Sequence, residues 1–291
     1  MAKPSVVDAH MHLYDLNHPD LFYEHLQNPD FVHPLIGPQL GKLAERNYEV
    51  SDYLADIEGH GVDKSIHIQC AMGSEDLVDE TKWLQGLSDE YGYPHAIVGE
   101  ADLCDPQLGR LLERHCQYEN FRGIRDFGSD DYLTSTEFAR GFSMLADFDL
   151  VASLDVKWED MEKLAQLSEN HPETLVVLDH AGFPTERTEE YFENWQRGIK
   201  RLAECESVYC KVSGLGMCDN AWTTDSIRPW VVHCLESFTP DRTIWSSNWP
   251  VDGLWSDYGT MIEAYREVLS VLSERDQDKV FGGNAERIYR I

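Results

Sequence analysis

Leu175-Val176-Val177-Leu178-Asp179-His180 is a run of four large apolar residues that ends on a carboxylate and an imidazole. A strand with one wet face alternates apolar and polar side chains, so a run without alternation is buried on both faces. Among short strands, that pattern belongs to a parallel sheet covered by helices. The flanks agree, because 158–170 upstream and 189–205 downstream both carry apolar residues at helical spacing. Working outward, the same pair recurs along the chain. Strands are predicted at 6–12, 64–69, 96–101, 121–125, 151–156, 175–178, 208–212 and 242–246, and helices at 51–60, 76–91, 106–117, 135–146, 158–170, 189–205, 224–237 and 258–273. Eight strands, each followed by a helix, predict one closed (β/α)8 TIM barrel spanning residues 1–291 as a single domain. A doubly wound open sheet is the alternative, but neither G-x-G-x-x-G nor G-x-x-x-x-G-K-[ST] follows any strand.

Length and composition narrow the class further. At 291 residues the chain fits one large α/β barrel, and 42% hydrophobic with 26% charged residues is ordinary for a globular protein. No stretch approaches the roughly 18 uninterrupted apolar residues of a membrane span, and residues 1–5 show no signal-peptide pattern. The expectation is a cytoplasmic protein. Acidic residues number 53 against 24 basic ones, a net charge of -29, which repels nucleic acid and anionic membranes and leaves a small molecule as the expected partner. Assembly with further copies of the chain stays open. Seven scattered cysteines without a C-x-x-C pair read as reduced thiols.

In a barrel, chemistry sits at the C-terminal ends of the strands. The first strand, Val6-Val7-Asp8-Ala9-His10-Met11-His12, ends in two histidines one residue apart. Alternation on a strand points both the same way, about 7 Å apart at ~3.4 Å per residue, where they can grip one metal ion or flank one substrate atom. Other strand ends supply Gln69, Glu100, Asp102, Arg125, Asp126, Asp155, Lys157, Asp179, His180, Lys211, Ser213, Asn248 and Asp252. Many such residues only cap helices. Between the first strand and its helix, 17–50 holds four prolines and several aromatic and histidine residues, and a loop this long is usually a lid or a pocket wall.

Six segments, taken together and in order, resemble the amidohydrolase superfamily, and within it the lactonase branch that includes sugar-acid lactonases and 2-pyrone-4,6-dicarboxylate lactonase. They are Val7-Asp8-Ala9-His10-Met11-His12, Gly123-Ile124-Arg125, Val177-Leu178-Asp179-His180-Ala181-Gly182, Lys211-Val212-Ser213-Gly214-Leu215, Ser246-Ser247-Asn248-Trp249-Pro250-Val251 and Gly283-Asn284-Ala285. The D-x-H-x-H start marks the superfamily; D-H-x-G with S-[DN]-W-P-V marks the branch. The resemblance implies opening of a small lactone, most readily a sugar-acid lactone. It implies His10, His12 and His180 as catalytic residues and as ligands of one divalent ion such as zinc, if a metal is bound. Gln69, Arg125, Lys211 and Trp249 are the expected substrate contacts.

One position departs from the pattern. The family's strand-eight aspartate, the expected general base, is Asn248 here, and an amide cannot take a proton at neutral pH. Asp252, four residues on, is the candidate replacement, with His180 as the competing base. Metal-free catalysis by the histidines stays open. So do a metal-dependent decarboxylase of an unsaturated acid, disfavoured by Asn248, and a catalytically inactive relative that binds a sugar acid.

Overall fold

A computed structural model of the chain describes residues 6–128 and 131–291; the first five residues, where no leader is expected, lie outside the described ones. The strands β1 (Val6–Met11), β2 (Val62–Ile68), β3 (Ala96–Glu100), β4 (Phe121–Asp126), β5 (Val151–Leu154), β6 (Val176–Leu178), β7 (Val208–Val212) and β8 (Thr243–Trp245) line up in sequence order. Each pairs in parallel with the next. The seam between last and first strand closes just beyond β8, where Asn248 N–H donates to the His10 carbonyl (2.8 Å) and His12 N–H to the Trp249 carbonyl (2.7 Å). This is the (β/α)8 barrel that the eight repeats predict.

Helices follow the strands at Val50–Ile57, Val78–Tyr91, Leu108–His115, Thr136–Asp147, Met161–Asn170, Glu189–Ala203, Thr224–Arg242 and Tyr258–Leu269. Side-chain caps fix several starts: Ser135, Thr188 and Asp257 each accept the backbone N–H of the residue three positions on. The helix beginning at Thr224 runs past its expected end at Ser237, broken at Thr239 ahead of Pro240. Among the described residues no helix is long and apolar enough to cross a membrane. The seven cysteines are free thiols.

Apolar residues occupy two layers. Val7, Ala9, Ile66, Ile68, Ala96, Val98, Val151, Val177 and Ile244 fill the barrel interior, while the opposite strand faces, such as Val176, Leu178, Val208 and Val212, pack against the helices. The bottom of the barrel is stoppered by Ala285, Ile288 and Tyr289 of the helix Asn284–Tyr289, a closing element that the strand and helix pattern does not announce. Asn284 holds it there, its amide donating to the Pro240 and Thr243 carbonyls. With the bottom plugged, the open end is the C-terminal face. Across that face lies the segment after β1, which folds into a short helix, Glu24–Gln27, and a 3-10 stretch, Gly37–Glu45, tied back by paired backbone bonds between Tyr14 and Tyr48.

Candidate active site

A cavity of about 130 Å³ sits at the C-terminal mouth, roofed by Leu26, Ile36, Leu40 and Leu43 of the lid segment and floored by residues from the strand ends. His12, Gln69, Arg125, Asp155, His180 and Asn248 all reach it, so six of the residues singled out from the sequence share one wall system. This volume has room for one small ring.

The first strand does not keep the strict alternation expected of it. Its register against β2 slips between Asp8 and Met11, and the extra residue turns successive side chains to new directions. Asp8 faces outward to Tyr53 and Tyr258 of the helix layer, whereas His10 faces Asp179 inside the barrel (Nδ1 to Oδ1, 3.5 Å). His10 is fully buried under the cavity floor. Its ring centre still lies 4.9 Å from that of His12 and 4.4 Å from that of His180, so the three imidazoles form one cluster.

Hydrogen bonds orient the rings. His12 Nδ1 is 2.8 Å from the Ile68 carbonyl, which can only accept, so Nδ1 carries the proton and Nε2 keeps its lone pair. His180 Nδ1 meets the Ser213 hydroxyl at 2.9 Å, a partner that can donate or accept, so here the contact fixes the ring's orientation and not its tautomer. Burial pushes His10 and His12 well below the ordinary imidazole range, aided by the neighbouring imidazoles His180 and His67 respectively, and burial brings His180 down to about 3. All three rings are therefore neutral at pH 7.

The backbone around His180 is built for this placement. His180 and Ala181 have φ of 52° and 51°, a left-handed conformation that side chains seldom adopt and that surrounding packing has to enforce. Gly214 is obligatory beside it, since a Cβ there would stand 2.5 Å from His180 Nδ1. This gives the Lys211-to-Leu215 motif its reason. Asn248 is also left-handed, with φ 59°, and its amide nitrogen donates to Asp252 Oδ1 at 3.1 Å.

Besides His10, three expected site residues stand off the cavity wall. Asp252 does not line the cavity: it lies behind Asn248, accepting from that amide and from the backbone N–H groups of Gly216 and Met217, and burial pushes its carboxyl up to about 7. Lys211 is fully buried below the floor, 3.0 Å from Asp179 Oδ1 and over the Tyr289 ring, and does not line the cavity. Its place on the inward face of β7 makes it part of the barrel's interior instead. Trp249 points away toward the helix layer, donating its indole N–H to Asp56 at 2.7 Å and packing on Tyr258. The alternation of Asn248 and Trp249 across the seam sends them to opposite sides.

Asp155 is the residue that sequence reading undervalued. It lines the cavity, with Oδ2 taking a 2.6 Å bond from Arg125 and Oδ1 left without a partner. Its position at a strand end was the available signal. The lid histidines His25 and His33 reach the cavity too, His25 stacked on Phe31.

Buried polar atoms without partners gather around this floor: Nε2 of His10, both amide atoms of Gln69, Arg125 Nε, and one oxygen of Asp155. Buried polar groups are almost always paired, so such a concentration marks a place for a polar occupant. A second trio, His67, Cys70 and Glu80, brings ligand-type atoms within 4.8 Å of one another. Its atoms are already engaged. His67 Nδ1 accepts from Leu13 N–H, so Nε2 carries the proton toward Glu80 Oε1, which also takes the Cys70 and Ala71 N–H groups. That trio supports the floor as a hydrogen-bond network.

Comparison with known proteins gives the chain a family. The chain is 35% identical over 303 residues to the uncharacterized protein y4mH of Sinorhizobium fredii, covering all of both chains. It is 26% identical over 301 residues to an L-fucono-1,5-lactonase of Burkholderia ambifaria, covering 98% of this chain and 95% of the other. A crystal structure of an amidohydrolase from Burkholderia multivorans with bound zinc superposes with a TM-score of 0.84 at 26% identity, over 99% of each chain. The amidohydrolase family profile matches residues 7–291, and the chain belongs to that family of hydrolases.

Proposed function

We propose that the protein is a lactonase that opens a neutral, hydroxylated sugar-acid lactone. The observation that carries this reading is the pair His12 and His180, neutral and with free Nε2 atoms, on the wall of a ring-sized cavity whose other polar groups are Gln69, Arg125, Asp155 and Asn248. Amide and guanidinium groups suit hydroxyls and a carbonyl. Among the described residues the one arginine on the wall is already neutralised by Asp155, which disfavours a dicarboxylate substrate. The lactonase names of two relatives support the same reaction class.

The donor set fits a metal. His10, His12 and His180 are neutral, and the Nε2 atom of each is free of a hydrogen-bond partner or left with its lone pair, which is the chemistry that three-histidine zinc binding requires. A zinc ion held there would polarise the lactone carbonyl and make water more acidic. Ser213 and the Ile68 carbonyl fix the two cavity rings through Nδ1, and Arg125 and Gln69 orient the substrate. The apolar lid sheds water from the ring's far face. A decarboxylase would need a carboxylate ligand from the last strand, where this chain has Asn248 with Asp252 turned behind it.

A pH-indicator screen of aldono-1,5- and 1,4-lactones, alongside 2-pyrone-4,6-dicarboxylate and 5-carboxyvanillate, tests the reading, with zinc content measured on the same sample. Turnover of a neutral lactone and none of the acids is expected. Decarboxylation without lactone opening would sink it.

A further inference from the structure

Hydrolysis of a lactone needs a group to take a proton from water, and this chain lacks the strand-eight carboxylate. Among the described residues Asp155 is the one carboxylate on the cavity wall. Asp252 is enclosed by Asn248, Gly216 and Met217; Asp179 lies beneath the floor against Lys211 and His10; Glu80 is engaged by His67, Cys70 and Ala71. Asp155 is differently placed. Arg125 holds its Oδ2 and thereby orients the carboxylate, while Oδ1, itself a buried atom, has no partner. A metal held on the Nε2 atoms of His12 and His180 would occupy both lone pairs and leave those rings unable to accept a proton.

Resting on the lactonase reading, we infer that Asp155 is the catalytic proton acceptor and donor of this enzyme, a role moved from the last strand to the end of the fifth. In the addition step a water oxygen bonds the lactone carbonyl carbon, the C=O π pair moves onto the carbonyl oxygen, to re-form the double bond on collapse, and one water proton passes to Asp155 Oδ1. In the collapse step the bond from that carbon to the ring oxygen breaks, and Asp155 returns the proton to the departing oxygen, which leaves as a hydroxyl. The second water proton stays on the new carboxyl group and is lost to solvent as that acid ionises. Atoms balance as lactone plus water giving hydroxy acid, with no oxidant or reductant.

The surroundings of Asp155 suit the task. Burial raises its carboxyl to about 6, with Arg125 from β4 and Lys211 from β7 lowering it and Asp179 at the end of β6 raising it; Tyr132, from the turn after β4, faces it as an un-ionised phenol. A base with that value is mostly ionised at pH 7 yet still able to give the proton back.

The test compares wild type with Asp155→Asn, Asp155→Ala and His25→Gln on whichever lactone the screen identifies. Asp155→Asn is expected to slow turnover by about two orders of magnitude or more, with KM changed little and the wild-type rise in rate through about pH 6 lost. Asp155→Ala should regain activity in proportion to added formate. If Asp155→Asn instead raises KM and keeps the turnover rate and the acid limb, Asp155 merely orients Arg125 and the inference falls. It falls equally if His25→Gln removes the acid limb while Asp155→Asn keeps it. Should wild type open no lactone, the functional reading fails first and takes this inference with it; normal wild-type turnover with an unaffected Asp155→Asn overturns the inference alone.

Discussion

Asp8, on the first strand, and Ser247, beyond the last, are joined by two hydrogen bonds: Ser247 N–H to Oδ1 at 2.9 Å and Ser247 Oγ to Oδ2 at 2.6 Å. Tyr53 and Tyr258 add their hydroxyls to the same carboxylate, each at 3.1 Å. The carboxylate thus pins the barrel's seam to two helices, and His10, His12 and Asn248 hang from that seam. Asp8→Ala would leave several buried donors without an acceptor, at about 1–3 kcal/mol for each. A loss of about 3 kcal/mol or more in urea unfolding is expected, together with reduced activity in the folded fraction. A loss below about 1 kcal/mol would show that the seam holds without it.

Ser213 matters through His180. Its hydroxyl fixes the Nδ1 side of the ring, and removing such a partner typically costs about 10–100-fold in metal affinity. Zinc binding to Ser213→Ala, followed by competition with a chromophoric chelator, should weaken by at least about 10-fold, with little change in melting temperature. Unchanged affinity would mean that the ring is held by packing alone.

Lys211 and Asp179 form a buried pair 3.0 Å apart, both shut off from solvent. Burial opposes both charges, yet each holds the other ionised: Asp179 lifts the Lys211 ammonium, and Lys211 keeps the Asp179 carboxyl well below its ordinary value. Lys211→Met strands the carboxylate, so about 3–5 kcal/mol of stability should be lost in guanidinium unfolding. Lys211→Met with Asp179→Asn should recover part of it. If the double variant is no more stable than the single, the charge pair is not the reason.

The barrel was legible because eight short apolar runs alternate with helical periodicity, a pattern that survives small boundary errors. The histidine cluster was legible because D-x-H-x-H and D-H-x-G name types of residue that need a shared mouth. What escaped notice depends on direction, which spacing does not encode. The slip between Asp8 and Met11 reverses which neighbours His10 meets, and the left-handed turn at Asn248 decides that Asp252 stands behind it. Lys211 reads as a site residue by position, but one strand rise lower it faces the barrel interior. Asp155 reads only as a strand-end acid until the unpaired oxygen is seen.

His115, away from the cavity, is buried against Thr81, and burial lowers its imidazole to about 4. Its folded pKa lies below the ~6.5 of the unfolded chain, so on acidification the unfolded chain takes the proton first. Its share of stability is whole above about pH 6.5 and is lost as pH falls toward 4. Thermal melts of His115→Gln should therefore decline less steeply between those limits than wild type, by up to about 1.4 kcal/mol for each pH unit. Parallel curves would mean that His115 is protonated in the folded state.

Asn248→Asp places a second carboxylate where an amide now donates to Asp252 at 3.1 Å. Asp252 is already raised to about 7 by burial, and two like charges in one enclosed site push one of the pair higher still. A carboxylate whose folded pKa exceeds its unfolded one costs stability as pH rises toward the folded value. Relative to wild type, Asn248→Asp should thus be nearly normal near about pH 5 and weaker by on the order of 2 kcal/mol above about pH 8. Adding Asp252→Asn reverses the pair, carboxylate forward and amide behind, and should flatten the pH dependence again. The double variant then offers the histidine cluster a fourth, anionic ligand, so its zinc affinity should exceed that of wild type. An Asn248→Asp curve that tracks wild type across the whole range would show that Asp252 does not respond to the charge at position 248, and the forward and rear places of the two residues would have to be reassigned.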